Sequence, residues 1–140
     1  MEAIYTAKAT SKGGRAGKVT SSDGVINFDL RPPKEMGGPG GDYTNPEQLF
    51  AAGYAACFAG AYTHVALQKG FRVRPEITVN ITINKVSDGF KLSAVIDTLV
   101  EGLSQKEAEE LAEEANAFCP YSRATKGNID VALTVRAVEK

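Results

Sequence analysis

The chain has 140 residues, a length typical of one domain, and 43% of them are hydrophobic and 24% charged. These values are typical of an ordinary globular protein and argue against disorder. The formal net charge of −1 lacks the basic excess of a dedicated nucleic-acid binder. We therefore predict a single domain over residues 1–140 that binds no nucleic acid.

The N-terminal stretch MEAIYTAKATSKGG has no basic segment followed by an apolar one, so it does not resemble a secretory signal. We expect a cytoplasmic location, where thiols are kept reduced. The chain has only two cysteines, Cys57 and Cys119. A permanent disulfide between them is not expected in a reducing compartment, which leaves either two inert buried thiols or a redox pair that cycles.

The N-terminal region is predicted to contain short strands and turns. A Thr- and Ala-rich strand is expected over residues 3–10, followed by a glycine-rich turn at 13–17 with Arg15 in its middle. Considered alone, Arg15 is most simply a solvated loop residue. Ser22-Asp23-Gly24 is typical of a hairpin turn, and the alternation over residues 26–30 predicts the next strand.

Residues 31–43 contain three prolines and four glycines, which predicts a long loop. A helix should follow from residue 46 to about residue 68, with Gly70 at its end. Thr44 or Asn45 can cap this helix, and Thr44 with Glu47 fits a capping box. Considered alone, Glu47 is therefore most simply a helix-capping carboxylate.

The central part of this helix is free of charged side chains from residue 49 to residue 67, a length that could span a bilayer. Its many alanines, with interspersed Tyr, Thr and His, favour a buried helix and no membrane span. Small side chains form a stripe along one face, at positions Ala52, Ala56, Ala59, Thr63 and Ala66. Such a stripe allows close approach of another helix, and we expect a second subunit to cover it.

The C-terminal half shows clearer patterns. Alternation over residues 77–83 and 90–97 predicts a hairpin around Ser87-Asp88-Gly89. Ser104 with Glu107 fits a capping box, and an apolar stripe then runs over 108–118 to Cys119, where Pro120 interrupts the helix. A last strand is predicted over 129–136. The fold class is α+β, with antiparallel sheets packed around a long central helix.

Cys57 and Cys119 can each be read as small core residues, because free cysteine is among the most buried residue types. Cys119 also lies four residues before Arg123 at a helix break, and such surroundings lower a thiol pKa. His64 is two helical turns after Cys57, roughly 10 Å along the axis, which is too far for a direct hydrogen bond. The spacing of Cys57, His64 and Cys119 matches no zinc motif, so no metal is expected.

The residues Thr44 to Phe58, with the sequence TNPEQLFAAGYAACF, resemble the first cysteine region of the organic hydroperoxide resistance proteins of the OsmC-like superfamily. Cys119-Pro120-Tyr121-Ser122, with residues 127–131, resembles the second cysteine region. The Gly13-Gly14-Arg15 turn and the hairpin at 21–24 also resemble segments of that family. The resemblance extends over essentially the whole chain.

This resemblance implies an intertwined homodimer with an active site at each end of its interface. It implies that Cys57 is the peroxidatic cysteine and that Cys119 resolves it to a disulfide. It also implies that Arg15 and Glu47 are active-site residues, so we expect Arg15 to stabilise the thiolate and Glu47 to pair with Arg15 and hold its guanidinium in place. The implied activity is reduction of alkyl or fatty-acid hydroperoxides to alcohols, without a bound cofactor. An external dithiol would recycle the enzyme, and the family points to dihydrolipoamide on a lipoylated protein.

Glu47 and Cys57 are ten residues apart, roughly 15 Å along a straight helix, so both cannot contact one arginine tip from the same straight helix. We therefore expect these two residues of one active site to come from different subunits, or the helix to be broken. We also expect Met36, Phe50, Phe58 and Tyr121 to line an apolar substrate site. Two alternatives remain: an osmotically inducible-type peroxidase with broader peroxide use, and a non-catalytic dimeric ligand-binding protein.

Overall fold

The computed structural model describes residues 1–139 and divides the chain into two compact units, Met1–Leu49 and the remainder from Phe50. The fold is α+β, as the sequence predicts, with two three-stranded sheets and one long helix. Within the described residues, no helix combines the length and hydropathy needed to cross a membrane. A single domain over 1–140 remains a prediction, and Lys140 lies outside the described residues.

The first unit contains an antiparallel sheet of β1 (Ala9–Lys12), β2 (Lys18–Ser21) and β3 (Asn27–Asp29), in that order. The prediction of a strand over residues 3–10 is wrong in its bounds. Pairing with β2 begins only at Ala9, which lies opposite Ser21, the last residue of β2. Residues before Ala9 therefore have no ladder partner on β2, and a strand needs one.

The side chains of this first sheet are poorly covered. Every residue of β1 and β3 is exposed, and β2 is at most partly buried. Leu30, which follows β3, is the one buried hydrophobic residue between Met1 and Leu49. Because a small sheet needs a covered hydrophobic face to be stable, this unit has too little core of its own.

The long helix α1 (Pro46–Gln68) has the predicted bounds, and Gly70, two residues after its end, has a φ of +83°. Its cap is Asn45, whose Oδ1 accepts a 2.8 Å hydrogen bond from the amide of Gln48. The predicted Thr44–Glu47 capping box is wrong, because the Glu47 carboxylate bonds to Arg15 instead.

The predicted stripe of small residues on α1 is divided between two environments. Ala52 and Ala56 are exposed, whereas Ala66 is fully buried. The opposite face of α1 enters the core of the second unit, where Tyr54 and Phe58 are 0% exposed. Helix α1 therefore has one covered face and one face that this chain leaves open to solvent.

The second sheet contains β4 (Glu76–Val86), β5 (Gly89–Glu101) and β6 (Asp130–Val138), in that order. The hairpin of β4 and β5 is antiparallel, as predicted, but β6 runs parallel to β5, so this sheet is mixed. Two helices lie between β5 and β6 in the sequence, and a connection of that length can return the chain in the same direction.

These two helices are α2 (Gln105–Phe118) and α3 (Pro120–Thr125). The predicted capping box of α2 is confirmed: Ser104 Oγ accepts from the Glu107 amide, and the Glu107 carboxylate accepts from the Ser104 amide. The predicted apolar stripe of α2 is buried from Ala108 to Ala115. Pro120 does not simply end a helix, because it is the first residue of α3.

Candidate functional site

Arg15 and Glu47 form a bidentate ion pair in the first unit. Arg15 Nη1 donates to Glu47 Oε1 at 2.7 Å, and Nη2 donates to Oε2 at 3.0 Å. The side chain of Arg15 is 43% exposed and that of Glu47 is 16% exposed. The hydrogen bonds from Arg15 lower the pKa of the Glu47 carboxyl, and the carboxylate in turn raises the pKa of Arg15. Both groups therefore stay charged at neutral pH.

The backbone around Arg15 depends on glycine. Arg15 lies in a short 3-10 turn, Gly14–Ala16, and both the residue before the turn, Gly13 at 88°, and its first residue, Gly14 at 61°, have positive φ. After the turn, a Cβ on Gly17 would lie 1.9 Å from the carbonyl oxygen of Lys12. Only glycine fits such a close approach of backbone segments.

A second arginine braces the same turn. Arg31 Nη1 donates to the carbonyl oxygens of Ala16 at 3.1 Å and Gly17 at 3.4 Å, and its guanidinium lies 5.0 Å from the ring centroid of Tyr43. Arg31 is not among the predicted site residues, because in the sequence it has no signal beyond its place at the start of the proline- and glycine-rich loop. Its contacts hold the backbone next to Arg15.

The two thiols meet in the second unit. Cys57 Sγ on α1 lies 3.2 Å from Cys119 Sγ, which stands between α2 and α3. Both cysteines are free; Cys119 is buried, and Cys57 is partly exposed. A disulfide requires a sulfur–sulfur distance of about 2.05 Å, so a shift of about 1 Å would join the two. The solvent can reach Cys57 but not Cys119, which matches the different roles that the resemblance implies for them.

The environment of Cys57 disfavours its ionisation. Burial raises the pKa of the Cys57 thiol, and the neighbouring Cys119 raises it further, while the backbone amide of Tyr121 lowers it. The net direction is upward, because removing a thiolate from water costs more than one amide recovers. A reactive thiolate at Cys57 would therefore need a positive charge in addition to what surrounds it in this unit.

An aromatic cluster lies beside the thiols. The rings of Phe50, Tyr54 and Tyr121 have centroid separations of 5.8 to 6.3 Å. Gly53 gives the Tyr121 ring its place against α1, because a Cβ there would lie 3.2 Å from the Tyr121 hydroxyl oxygen. Tyr121 remains 41% exposed, so the cluster presents an apolar surface to solvent.

The expected substrate-lining residues differ in exposure. Phe58 is 0% exposed and packs in the core, so the expectation for Phe58 is wrong. Met36 and Tyr121 are exposed and Phe50 is partly buried, which leaves these three accessible. The periodicity that placed Phe58 on the helix could not decide which face of an all-apolar helix would be covered.

His64 has partners other than a cysteine. Its ring stacks on Phe118 with centroids 4.5 Å apart, and its Nε2 lies 3.1 Å from Gln68 Nε2. Over residues 1–139, no three His, Cys, Asp or Glu side chains cluster as metal ligands would.

The four predicted site residues form two pairs, Arg15 with Glu47 and Cys57 with Cys119.

Comparisons with known proteins agree with the residue patterns. The family model of the OsmC-like proteins matches residues 38–134. The organic hydroperoxide resistance protein of Xanthomonas axonopodis pv. citri (strain 306) is 46% identical, over 94% of each chain. The organic hydroperoxide resistance protein OhrB of Bacillus subtilis (strain 168) is 48% identical, over 96% of this chain and 99% of its own. A crystal structure of an organic hydroperoxide resistance protein from Legionella pneumophila superposes with a TM-score of 0.92 at 45% identity, covering 98% of this chain and 100% of the other.

Proposed function

This chain belongs to the OsmC-like family, among the organic hydroperoxide resistance proteins, and from that membership we propose that it is a cysteine-based peroxidase acting on organic hydroperoxides. Membership supports a role in organic hydroperoxide resistance. The observation that carries the chemical proposal is the pair of free sulfurs 3.2 Å apart, one accessible and one buried. Such a pair suits a reaction in which one thiol meets the substrate and the other closes a disulfide.

In the first step, the Cys57 thiolate attacks one oxygen of the O–O bond of the hydroperoxide. The bond breaks, the distal oxygen stays on sulfur as a sulfenic acid, and the other oxygen leaves as an alkoxide that takes up a proton to become the alcohol. Sulfur is oxidised and the peroxide is reduced by two electrons. This step requires the thiolate form, which the pKa-raising environment of Cys57 makes scarce.

We assign to Arg15 the stabilisation of the Cys57 thiolate. Its guanidinium would stabilise both the Cys57 thiolate and the negative charge that develops on the leaving oxygen. Glu47 would fix the orientation of the guanidinium through the bidentate pair, which adds geometric specificity. Glu47 takes two of the N–H donors of the Arg15 guanidinium, and the side chain is 43% exposed, so donors remain available for a further partner.

We further propose that Arg15 and Cys57 of one active site come from two copies of the chain. Helix α1 is continuous from Pro46 to Gln68, so Glu47 and Cys57 are about 15 Å apart along its axis. The Glu47 side chain also leans toward the helix N-terminus, away from Cys57. An arginine that is held by Glu47 can therefore serve Cys57 best from another subunit.

A homodimer is supported by the uncovered parts of the chain. The exposed face of α1 carries small side chains at four-residue intervals, Ala52, Ala56 and Gly60, which suit close approach of a second helix. The N-terminal sheet has almost no buried side chains, although Val25 and Phe28 are exposed hydrophobic residues. A second copy would cover both surfaces, in agreement with the intertwined dimer implied by the family.

In the second step, the Cys119 thiol condenses with the Cys57 sulfenic acid, which forms the disulfide and releases water. An external dithiol then reduces this disulfide by thiol–disulfide exchange and is itself oxidised to a disulfide. We propose dihydrolipoamide on a lipoylated protein as that dithiol. The exposed ring of Tyr121, with Phe50 beside it, favours alkyl or fatty-acid hydroperoxides over hydrogen peroxide.

The test is a single-turnover measurement of free thiols in the reduced protein after addition of tert-butyl hydroperoxide or hydrogen peroxide. We expect rapid loss of both thiols with the organic peroxide, slower loss with hydrogen peroxide, and no rapid loss in Cys57→Ser. Equal rates with both peroxides would favour the broader osmotically inducible type. The absence of any reaction would contradict the peroxidase and favour a ligand-binding protein with inert thiols.

A further inference from the structure

Three buried hydroxyl groups connect the helix that carries Cys57 to the helix that follows Cys119. Tyr54, on α1, is 0% exposed, and its Oη lies 2.8 Å from Ser122 Oγ and 3.2 Å from Thr125 Oγ1, both on α3. Ser122 and Thr125 are each only 4% exposed. Buried polar groups in native proteins are paired, and these three hydroxyls lie within hydrogen-bonding distance of one another.

The direction of each hydrogen bond follows from counting protons. Thr125 Oγ1 donates to the carbonyl oxygen of Ser122 at 3.0 Å, so its proton is already committed. The contact between Tyr54 and Thr125 must then use the Tyr54 proton, and the contact between Ser122 and Tyr54 must use the Ser122 proton. Three protons serve three contacts, and the network has one arrangement in which every donor is paired.

This network is close to both cysteines in the sequence. Tyr54 is three residues before Cys57 on α1, and Ser122 is three residues after Cys119. The Tyr54–Ser122 bond thus fixes the approach of α1 and α3 one helical turn away from the 3.2 Å contact between the sulfurs. Side-chain bonds of this kind, fully satisfied and buried, restrict the relative movement of the segments that they join.

We propose that Tyr54 is a positioning residue, whose hydroxyl holds α3 against α1 and so keeps the Cys119 sulfur beside Cys57. The inference rests on the proposed peroxidase function and deepens it. After attack on the peroxide, the Cys57 sulfenic acid has two fates. Cys119 can condense with it, giving the disulfide and water, or a second hydroperoxide can oxidise it to the sulfinic acid while being reduced to alcohol. The hydroxyl network favours the first fate.

The test compares Tyr54→Phe with Tyr62→Phe. Tyr62 is a matched control because it is on the same helix, is 0% exposed, and donates one hydrogen bond, of 2.9 Å, to the carbonyl oxygen of Ala108. Each variant loses one buried hydroxyl and keeps its ring. The first readout is the equilibrium of the Cys57–Cys119 pair with mixtures of reduced and oxidised dithiothreitol. We expect a shift of about five- to tenfold toward the dithiol in Tyr54→Phe, because this variant loses the two hydrogen bonds that join α1 to α3, and little shift in Tyr62→Phe, whose single hydrogen bond joins α1 to α2.

The second readout uses tert-butyl hydroperoxide. We expect the rate of the first thiol oxidation to be unchanged in Tyr54→Phe, while disulfide formation slows and sulfinic acid at Cys57, measured by mass spectrometry, increases. Thr125→Val should act in the same direction, and Thr125→Ser, which keeps the hydroxyl, should restore wild-type behaviour. Wild-type values in Tyr54→Phe, or equal shifts in both tyrosine variants, would overturn the proposal. A wild-type protein that ignores the peroxide would defeat the proposed function, and the dithiothreitol equilibrium would still decide the role of Tyr54.

Discussion

The two units of the chain each contain one pair of predicted site residues, in opposite environments. The second unit holds its pair of thiols at the edge of its core, with Cys119 at 0% exposure and Cys57 partly exposed, and partial burial raises the pKa of Cys57. The first unit holds its pair, Arg15 and Glu47, near solvent and almost without a core, and both groups remain charged. Burial fixes the positions of the two sulfurs but disfavours ionisation of Cys57, whereas the partly exposed ion pair stays charged. The proposed reaction needs both properties in one place.

The largest expected effect concerns the core of the second unit. Phe58→Ala removes a fully buried aromatic side chain one residue after Cys57, and we expect the free energy of unfolding to fall by about 3–5 kcal/mol. Phe90→Ala is the matched control, because Phe90 is 69% exposed, and we expect a loss of less than about 0.5 kcal/mol. Urea denaturation measures both. Equal losses would mean that the core does not support the thiol pair as described.

The second-largest expected effect concerns Arg15, which we propose supplies the positive charge that Cys57 lacks within its own unit. We expect Arg15→Met to lower the rate of Cys57 oxidation by tert-butyl hydroperoxide by about 100-fold, because both the thiolate and the developing oxyanion lose a cation. The pKa of Cys57 should rise, so the pH–rate profile should move to higher pH. Arg72→Met, which changes an exposed arginine of the second unit, is the control. A slower rate with an unshifted pH profile would show that Arg15 does not act on the thiolate.

Local sequence signals predicted some of these features well. The bounds of α1 and the Ser104–Glu107 capping box follow from short-range patterns of caps, apolar spacing and glycine, and both are confirmed. The Thr44–Glu47 box fails, because Glu47 has a stronger partner 32 residues away, in a turn whose backbone depends on glycine. A pairing at that distance leaves no periodic signal in one sequence. The family resemblance implied that Arg15 and Glu47 are active-site residues and that they pair with each other, and the bidentate ion pair confirms the pairing.

The features that were missed depend on tertiary contacts. The parallel pairing of β6 with β5 is decided by how α2 and α3 return the chain, which strand periodicity does not encode. In the sequence, Tyr54 is only one polar residue within the uncharged stretch of the long helix, and Ser122 is only part of the second cysteine region. Their bond becomes visible when α1 and α3 are packed together. A tyrosine among small apolar residues, with Ser and Thr at helical spacing elsewhere, was the only available signal.

A smaller effect concerns the start of α2, which leads to Cys119. Ser104→Ala removes the acceptor for the Glu107 amide, and we expect a loss of about 1 kcal/mol in the free energy of unfolding. Glu107→Gln should cost clearly less, because the amide oxygen can still accept from the Ser104 backbone. If urea denaturation gave the reverse order, the capping box would not stabilise α2 in the way described.

The smallest effect concerns the stability of the exposed ion pair. Arg15 lowers the pKa of Glu47 in the folded protein, so the pair stabilises the fold above the unfolded pKa of Glu47 and loses this contribution as the pH falls through the folded pKa. We expect Glu47→Gln to remove less than about 1 kcal/mol at pH 7, and the difference from wild type to shrink in acid. A difference that stays constant from neutral to acidic pH would exclude this linkage.

The central claim, that one peroxidase site combines the ion pair of one copy with the thiols of another, is tested by mixed dimers. Cys57→Ser and Arg15→Met chains with different affinity tags would be coexpressed and the doubly tagged dimers purified. Their peroxidase activity would be compared with that of each parent variant. One site of such a dimer then has an intact Arg15 and an intact Cys57, so we predict roughly half of the wild-type activity. Activity no higher than that of the parent variants would mean that each chain must supply both residues itself, and would contradict the account.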